Sequence, residues 1–192
     1  IHKYTPTSYT AGWRPYYNYK KIGIRMLNLK FYKTHPNAYL PEFSTSDSAC
    51  FDVCASIQDE SIICYNAYNE CGRAYPTENN TITLFPQSRY LIPTNLIFDI
   101  PRGYSVRAHP RSGLSLKNGI SLFNCEGVID SDYVEPVFIT LYNFGSRPFT
   151  LRDGDRVVQI EMVPQLEYAL EVSYSKPEQK TLRSGGFGST GV

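Results

Sequence analysis

Carboxylate residues interrupt apolar sequence at two places in the chain, and either place could serve a reaction. Asp130 and Asp132 lie in "NCEGVIDSDYVEP" (124–136), just after an apolar stretch and next to Tyr133. Asp52 lies in "SDSACFDVCAS", where a lone carboxylate among apolar neighbours is unfavourable unless it is paired or near a metal. Two aspartates in a tight hairpin are typical turn formers, and a general base that activates water is the functional alternative.

Two further segments and the last residues of the sequence carry groups that suit phosphate. "PRSGLS" contains Arg111, Ser112 and Gly113, which offer a guanidinium group, a hydroxyl and unhindered N–H groups, although Pro-x-Ser-Gly is also ordinary turn chemistry. In "GDRVVQIEMVP" the alternation brings Gln159 to one face of a strand, which a plain strand also explains. The glycine-rich "LRSGGFGSTGV" resembles a loop that holds phosphate through backbone N–H groups.

Composition excludes several other functions. A formal net charge of +1 argues against a general polyanion binder, so phosphate chemistry must come from a local site. There is no G-x-x-x-x-G-K-[ST], H-E-x-x-H or G-x-S-x-G, and three histidines give little support for a Ser-His-Asp triad. No run of 18 apolar residues and no secretory signal is visible, so we expect no membrane span and an intracellular location, in the cytoplasm or nucleus.

The five cysteines form an odd set without C-x-x-C spacing. With no export signal, we interpret them as reduced thiols. A zinc site from Cys50, Cys54, Cys64 and Cys71 is the alternative, but its spacings fit no common zinc module.

The elements that must position these residues are predicted to be short β-strands. Segments rich in β-branched and aromatic residues are punctuated by Pro, Gly, Asn and Asp, namely "MLNLKFYK", "TITLF", "RYLIPTNLIFDI", "YSVRAH", "GISLFN", "PVFITLYNF", "FTLRDGDRVVQIEMV" and "EYALEVS". One short patch near "LSLKNGI" is compatible with a helix. This pattern predicts an all-β sandwich, jelly roll or barrel.

The sequence divides into a β domain with two polar extensions and an insertion. Residues 1–25 are basic and rich in tyrosine without one acidic residue, and are expected to lie outside the core fold, with a basic arm for nucleic acid or a protein as the alternative. Residues 26–172 form the β domain. Within it, residues 58–80 are polar and predict a long loop. Residues 173–192 have too little apolar surface to pack alone, so they are predicted to stay mobile until they meet a partner surface.

In order along the chain, "SACFDVCA", "PRSGLS", "GVIDSDY", "GDRVVQI" and "GGFGSTG" resemble the five motifs of the trimeric deoxyuridine triphosphatase (dUTPase) family. The resemblance implies a β jelly roll assembled as a homotrimer, with C-terminal arms exchanged between subunits. It implies hydrolysis of dUTP to dUMP and pyrophosphate with Mg²⁺. A lid that closes over a neighbouring subunit's site would explain a phosphate loop at the end of the sequence.

The resemblance also implies a role for each matched residue. Asp130 corresponds to the base that activates water, and Tyr133 to the ring under the deoxyribose that leaves no space for a 2′-hydroxyl. Uracil recognition falls to Asn124, Gly127, Val128, Ile129 and Phe138. Phosphate contacts fall to Arg111, Ser112, Gly113, Gln159, Arg183, Gly188 and Ser189, with Ser112 and Gln159 also counted as catalytic and Phe187 covering the uracil. Asp52 corresponds to the acid that helps hold Mg²⁺ through water.

At three positions the sequence departs from the family pattern, which affects the assignment of these roles to its residues. Cys50 stands where a small Gly is usual, "DYVEP" replaces the usual Arg-Gly after the tyrosine, and Arg183 lies one residue closer to Phe187. Two alternatives share the scaffold: a regulatory module that binds protein or nucleic acid through residues 1–25 or 58–80, and a dCTP deaminase. The deaminase family uses a Glu in the corresponding hairpin, whereas "VIDSDY" presents Asp130.

Overall fold

A computed structural model describes residues 27–182 of the chain, which form thirteen strands and one short helix. The strands are β1 (Lys30–Lys33), β2 (Phe51–Cys54), β3 (Ile62–Tyr65), β4 (Cys71–Ala74), β5 (Thr81–Leu84), β6 (Arg89–Pro93), β7 (Leu96–Asp99), β8 (Tyr104–Pro110), β9 (Ile120–Leu122), β10 (Gly127–Ile129), β11 (Phe138–Asn143), β12 (Phe149–Arg152) and β13 (Arg156–Pro164). The helix α1 (Ser112–Asn118) falls on the predicted helical patch. The predicted all-β class is confirmed.

The strands form two larger and two smaller sheets around one apolar core. The larger sheets have the strand orders β10-β8-β13-β2 and β4-β3-β6-β11-β9, and the pairs β1-β7 and β12-β5 complete the fold. Among residues 27–182 every strand pairing is antiparallel, and strands distant in sequence are neighbours, as in a jelly roll. Alternation along each strand directs one set of side chains inward, including Val53, Ile92, Val106, Leu141 and Ile160.

Residues 58–80 do not form the irregular loop that their polarity predicts. They contain the hairpin β3–β4, and β3 also pairs with β6, so the five-stranded sheet is extended at its edge. In the connecting turn, the Asn66 side-chain oxygen accepts hydrogen bonds from the backbone N–H groups of Tyr68 and Glu70. Turn-forming residues and exposed strand positions together gave the segment its loop-like composition.

The strand predicted at "EYALEVS" (167–173) is also absent from the described structure. From Gln165 to Leu182 the chain has no strand or helix, and every residue is exposed. A β-strand needs a neighbour that completes its ladder of hydrogen bonds. The alternation in the sequence is real, but residues 27–182 of a single chain provide no such neighbour.

Two chain reversals that look like hairpins in the sequence are crossovers between sheets. Among residues 27–182, β10 pairs only with β8, and β11 pairs with β6 and β9, so the strands on either side of Asp130 separate. In the same way β12 pairs with β5, whereas β13 pairs with β2 and β8. The predicted tight hairpin at Asp130 is therefore wrong, and the separation opens a cleft between β10 and β11.

The second crossover is held by a contact with the N-terminal part of the domain. Gly154 has φ +81°, and a Cβ placed on it would lie 3.0 Å from the ring of Tyr39. The Tyr39 hydroxyl donates a hydrogen bond to Asp153 Oδ2 at 2.7 Å, and Asp153 Oδ1 accepts one from the Ile57 N–H. Only glycine fits under the ring in this conformation.

Candidate active site

The cleft between β10 and β11 encloses a cavity of about 230 Å³. Its lining consists of Ala108, Leu122, Asn124, Gly127, Val128, Ile129, Asp130, Tyr133, Val137, Phe138, Ile139 and Thr140. The predicted uracil-reading residues and the predicted base are all among them. A cleft lined by apolar side chains together with an aspartate, an asparagine and a tyrosine suits a flat heterocycle attached to a polar group.

Backbone edges of both strands are available inside this cleft. β10 is the last strand of its sheet, so only the edge facing β8 is used for pairing. In β11 the pairing with β9 begins only at Leu141, which leaves one edge of Phe138 and Ile139 outside that ladder. Unpaired N–H and C=O groups at such edges can read the donors and acceptors of a base.

Gly127 brings the wall of the cavity close to β8. A Cβ at this position would lie 3.0 Å from the Ala108 Cβ and 3.7 Å from Asn124 Nδ2. The first distance is shorter than an ordinary methyl contact, so a side chain at position 127 would push β10 away from β8, with which it pairs.

Asp130 and Tyr133 lie in the turn that follows β10. The Tyr133 N–H donates to the Asp130 carbonyl at 3.2 Å, and the Tyr133 hydroxyl donates to the Pro136 carbonyl at 3.1 Å. The second contact comes from the segment "DYVEP", one of the departures from the family pattern, and it fixes the ring against the turn. Both side chains are exposed at the cavity, where a substrate could reach them.

A second cluster is built around Asp52 on the four-stranded sheet. Asp52 Oδ1 accepts a hydrogen bond from Arg111 Nε at 2.9 Å, and Oδ2 accepts from Arg156 Nη1 at 3.1 Å and from Ser44 Oγ at 3.0 Å. The Asp52 side chain is only 12% exposed, so its charge requires this pairing. The arrangement fixes two guanidinium groups side by side.

The other predicted phosphate residues adjoin this cluster. Gln159 on β13 lies opposite Asp52 on β2, and its Nε2 donates to the Pro110 carbonyl at 3.2 Å. Ser112 and Gly113 begin α1 directly after Arg111 and are exposed. Strand β8 includes Ala108, which lies in the cavity wall, and ends at Pro110, which lies beside the Asp52 cluster. It therefore connects the cavity to that cluster.

A second cavity, of about 460 Å³, lies against the Asp52 cluster. It is lined by Tyr39, Leu40, Glu42, Phe43, Ser44, Asp52, Cys54 and Arg156. Burial raises the pKa of the Cys54 thiol, and the Asp52 charge raises it further, although both arginines oppose the shift. A protonated thiol there is a poor nucleophile and a poor metal ligand.

The cysteines do not form the alternative zinc site. All five are free thiols, and among residues 27–182 no group of three or more His, Cys, Asp or Glu side chains could hold a metal ion. The described residues therefore provide no cage made of protein ligands. Mg²⁺ commonly binds through one or two carboxylates, several waters and substrate phosphates, and Asp52 beside the phosphate-type residues fits that mode.

Sequence reasoning identified most of the two clusters but missed three contributors. Arg156 and Ser44 complete the pairing of Asp52, and Ala108 forms part of the cavity wall. Arg156 stands in the quoted segment "GDRVVQI", so its charge two residues after Gly154 was an available signal. Arg183, Phe187, Gly188 and Ser189 lie outside the described residues.

Jelly-roll sheets, a cleft with an aspartate in its lining and a nearby cluster of paired arginines are typical of a nucleotide-binding protein. The family model described as dUTPase matches residues 77–191. A deoxyuridine 5′-triphosphate nucleotidohydrolase of Rhizobium rhizogenes is 36% identical over 154 residues, covering 80% of this chain and 85% of the relative. The enzyme of the same name from Brucella melitensis biotype 2 is 42% identical over 120 residues, covering 62% and 76%. This chain belongs to the dUTPase family.

Solved structures show the same fold. The dUTPase of Staphylococcus bacteriophage 80alpha with dUPNHPP superposes with a TM-score of 0.68 at 21% identity, covering 87% of this chain and all of that one. The dUTPase from Streptococcus mutans gives a TM-score of 0.57 at 22% identity, covering 74% of this chain and 99% of that one. Within the described range, no helix has the length and apolar character needed to span a membrane.

Proposed function

We propose that this chain hydrolyses dUTP to dUMP and pyrophosphate, which limits uracil incorporation into DNA and supplies dUMP. The observation that carries the proposal is the cavity between β10 and β11, with Asp130 and Tyr133 in its lining. Membership of the family and relatives named for this reaction support it. The regulatory module and the dCTP deaminase are not favoured.

We assign the selection of uracil to the unpaired backbone edges of β10 and β11 in the cleft. Uracil presents alternating acceptors and a donor, whereas the amino group of cytosine would face the wrong partner. We assign the reading of these atoms to Asn124 and to the backbone of Gly127, Val128, Ile129 and Phe138, all of which line the cavity.

The chemical step is assigned to Asp130 as a general base. Its carboxylate takes a proton from a water molecule while the water oxygen attacks the α-phosphorus. The bond from that phosphorus to the α,β-bridging oxygen breaks, and pyrophosphate leaves with the electron pair. Tyr133, held by the Pro136 carbonyl, lies under the deoxyribose and excludes a 2′-hydroxyl.

We assign the binding of the dUTP phosphates to the cluster around Asp52. Arg111, Ser112, Gly113 and Gln159 supply a guanidinium group, a hydroxyl, N–H groups and an amide, which offset the negative charge as it shifts to pyrophosphate. Asp52 orients Arg111 and would help hold Mg²⁺ through water. When bound, Mg²⁺ would neutralise charge on the phosphates. Chelation with EDTA is therefore expected to abolish turnover.

A homotrimer with exchanged C-terminal arms completes the proposal. Leu166, Tyr168, Leu170, Val172 and Tyr174 alternate along the chain, and each is 77% exposed or more. An alternating apolar edge without a strand partner fits pairing with a second copy. We propose that residues 173–192 then continue over a neighbouring site, where Arg183, Gly188 and Ser189 contact phosphate and Phe187 covers the uracil.

The proposal also includes the bounds of the catalytic domain and the location of the protein. Residues 1–25 carry none of the family motifs and are proposed to lie outside the catalytic domain, which spans residues 26–172. A nucleoside triphosphate substrate and free thiols are consistent with an intracellular location.

The deciding experiment is release of pyrophosphate from dUTP, dCTP and UTP by the full chain with Mg²⁺. We expect turnover of dUTP and at least about 100-fold lower kcat/KM for the other two, since each leaves polar groups of the site unpaired or in conflict. Ammonia release from dCTP would identify the deaminase instead. No turnover of any of the three would favour the regulatory module.

A further inference from the structure

A tight turn connects the two larger sheets and carries one of the cavity residues. Strand β9 ends at Leu122 in the five-stranded sheet and β10 begins at Gly127 in the four-stranded sheet, so only residues 123–126 link them. Within this link, the Glu126 N–H donates a hydrogen bond to the Asn124 carbonyl at 2.6 Å, which closes a γ-turn centred on Cys125. Asn124 lines the cavity between β10 and β11. The geometry of the turn therefore sets the position of Asn124.

The central residue of this turn has a strained backbone conformation. Cys125 has φ +63°, and a γ-turn with positive φ at its centre is rare and strained for any residue that carries a Cβ. Such a conformation persists only where surrounding contacts hold it. On the β9 side, the Cys125 N–H donates to the Leu122 carbonyl at 3.3 Å. The contacts on the β10 side must supply the remaining restraint.

Glu126 supplies a contact of this kind, with two basic residues of β8. Its Oε2 lies 3.9 Å from Arg107 Nε, and its Oε1 lies 3.7 Å from His109 Nδ1. Gly127, the next residue, pairs with Ala108, which stands between these two partners in β8. The end of the turn is thus attached to β8 both by a side chain and by the strand ladder.

The partners of Glu126 are shielded from solvent. The side chains of Arg107 and His109 are 27% and 28% exposed, so their interactions are screened less than those of ion pairs on an open surface. A guanidinium group buried to this extent requires a carboxylate, and within residues 27–182 its Nη1 has no hydrogen-bond partner. His109 Nε2 contacts Glu161 Oε1 at 3.1 Å, which orients the ring so that Nδ1 faces Glu126.

We propose that Glu126, together with Arg107 and His109, positions Asn124 for uracil by holding the strained turn at Cys125. The inference rests on the proposed function, which assigns uracil to this cavity. None of the three residues is in the cavity lining, so they act through the turn and are positioning residues. Their contacts lie within one chain and form whichever faces of the sheet a trimer covers.

Glu126→Gln in the full chain is the first test. The amide keeps the shape of the side chain but loses the charge that attracts Arg107, so the turn can relax and move Asn124. We expect the Kd of dUMP, measured by calorimetry, and KM for dUTP to rise about three- to tenfold, as for loss of one neutral hydrogen bond. Since Asp130 is untouched, kcat should change by less than about twofold. Glu78→Gln, in an exposed turn before β5, is the matched control and should change neither quantity.

Substitutions at position 125 test the strain itself. Glycine adopts positive φ without steric cost, so Cys125→Gly should restore most of the dUMP affinity that Glu126→Gln loses. Cys125→Ala also removes the thiol but keeps a Cβ, so it should not restore the affinity. No recovery with glycine, or equal recovery with alanine, would overturn the role of the strained turn.

Substitutions in β8 test the other side of the contact. Arg107→Gln and His109→Gln should each weaken dUMP binding. Adding Glu126→Gln to either variant should cause little further loss, because the residues act through one contact. Fully additive losses would contradict the proposal.

Two further measurements exclude other causes. Inorganic tripolyphosphate has no base, so its inhibition of dUTP hydrolysis should be the same for Glu126→Gln and the unmodified chain, and an equal weakening of both ligands would overturn a role specific to the base. The light-scattering mass should also be unchanged, and dissociation of Glu126→Gln would show that the carboxylate acts at a subunit contact instead.

Calorimetry with dUMP also distinguishes failure of this inference from failure of the proposed function. If the unmodified chain binds dUMP and Glu126→Gln binds it equally tightly, only the positioning role is wrong. If the unmodified chain does not bind dUMP, the assignment of uracil to the cavity is wrong, and the positioning role is overturned with it.

Discussion

Arg111 and Asp52 form the shortest ion pair among the described residues, with 2.9 Å between Arg111 Nε and Asp52 Oδ1. The hydrogen bond to the carboxylate comes from Nε, the inner nitrogen of the guanidinium group. The terminal nitrogen Nη1 donates to the Arg156 carbonyl at 3.0 Å. The guanidinium plane is thus held at two points, which prepares it for a phosphate.

Replacement of Asp52 by asparagine tests this orientation. The amide keeps the shape but loses the charge that holds Arg111 and Arg156, so both guanidinium groups gain freedom. We expect kcat/KM for dUTP to fall by about 10- to 100-fold, the range seen when a residue that orients a ligand is changed. Asp99→Asn, at an exposed pair with Lys30, is the control and should have no effect. Wild-type kinetics in Asp52→Asn would contradict the orienting role.

Asp130→Asn tests the general base. An amide cannot accept the proton of the attacking water, so kcat should fall by about 10²–10⁴-fold while dUTP still binds. Single-turnover release of pyrophosphate, together with calorimetric binding of a non-hydrolysable dUTP analogue, separates these effects. Asp132→Asn is the matched control, and a larger loss of turnover in that variant would move the base to Asp132.

Gly127→Ala tests the close contact between β10 and β8 in the wall of the cavity. The added methyl group would meet the Ala108 Cβ at 3.0 Å, so β10 must shift and KM for dUTP should rise. The double variant Gly127→Ala with Ala108→Gly returns the space and should recover much of the affinity. Gly72→Ala, where the new contact is an ordinary 3.6 Å to Cys64 Sγ, should leave kinetics unchanged. Failure of the double variant to recover would show that crowding against Ala108 is not the cause.

Tyr39→Phe tests the contact over Gly154. The hydrogen bond to Asp153, together with burial, raises the pKa of Tyr39 to about 12 from 10.0. Between about pH 10 and 12, Tyr39 therefore keeps its hydroxyl proton in the folded state and loses it in the unfolded state. The free energy of unfolding should decline as the pH rises through this range. Tyr39→Phe should lower that free energy by about 1–2 kcal/mol at neutral pH and reduce the decline.

Urea unfolding at several pH values provides this measurement. Tyr32→Phe, on the exposed strand β1, is the matched control and should retain the full decline between pH 10 and 12. An unchanged pH profile in Tyr39→Phe would assign the decline to another group.

Two C-terminal deletions test separately the assembly of the trimer and the closing of the C-terminal lid over the active site. Removal of residues 182–192 should leave a folded trimer, since Leu182 is fully exposed and adds nothing to the core, but most dUTP turnover should be lost. Removal of residues 165–192 also deletes the alternating apolar segment, so the trimer should dissociate. Light scattering and pyrophosphate release measure the two effects. Full activity of the shorter deletion would refute the lid, and a stable trimer of the longer one would refute the exchanged strand.

Local sequence determined which residues could do the chemistry. The β class, the helix at 112–118, the free thiols and the cavity residues around Asp130 were predictable, because strand alternation and turn residues act over a few positions. The ordered set of five segments then indicated the family. Each of these signals depends on residues that are close together in the sequence, so it can be identified without knowing how the chain folds.

Pairing between distant segments was decided only by the tertiary structure. The two arginines on Asp52 come from positions 59 and 104 residues away, and β10 and β11 join different sheets although few residues separate them. The hairpin β3–β4 exists because the edge of β6 accepts it, whereas residues 167–173 remain without a partner strand in one chain. A strand's hydrogen bonds and a buried charge are satisfied by groups far along the sequence, and only the folded chain selects which groups those are.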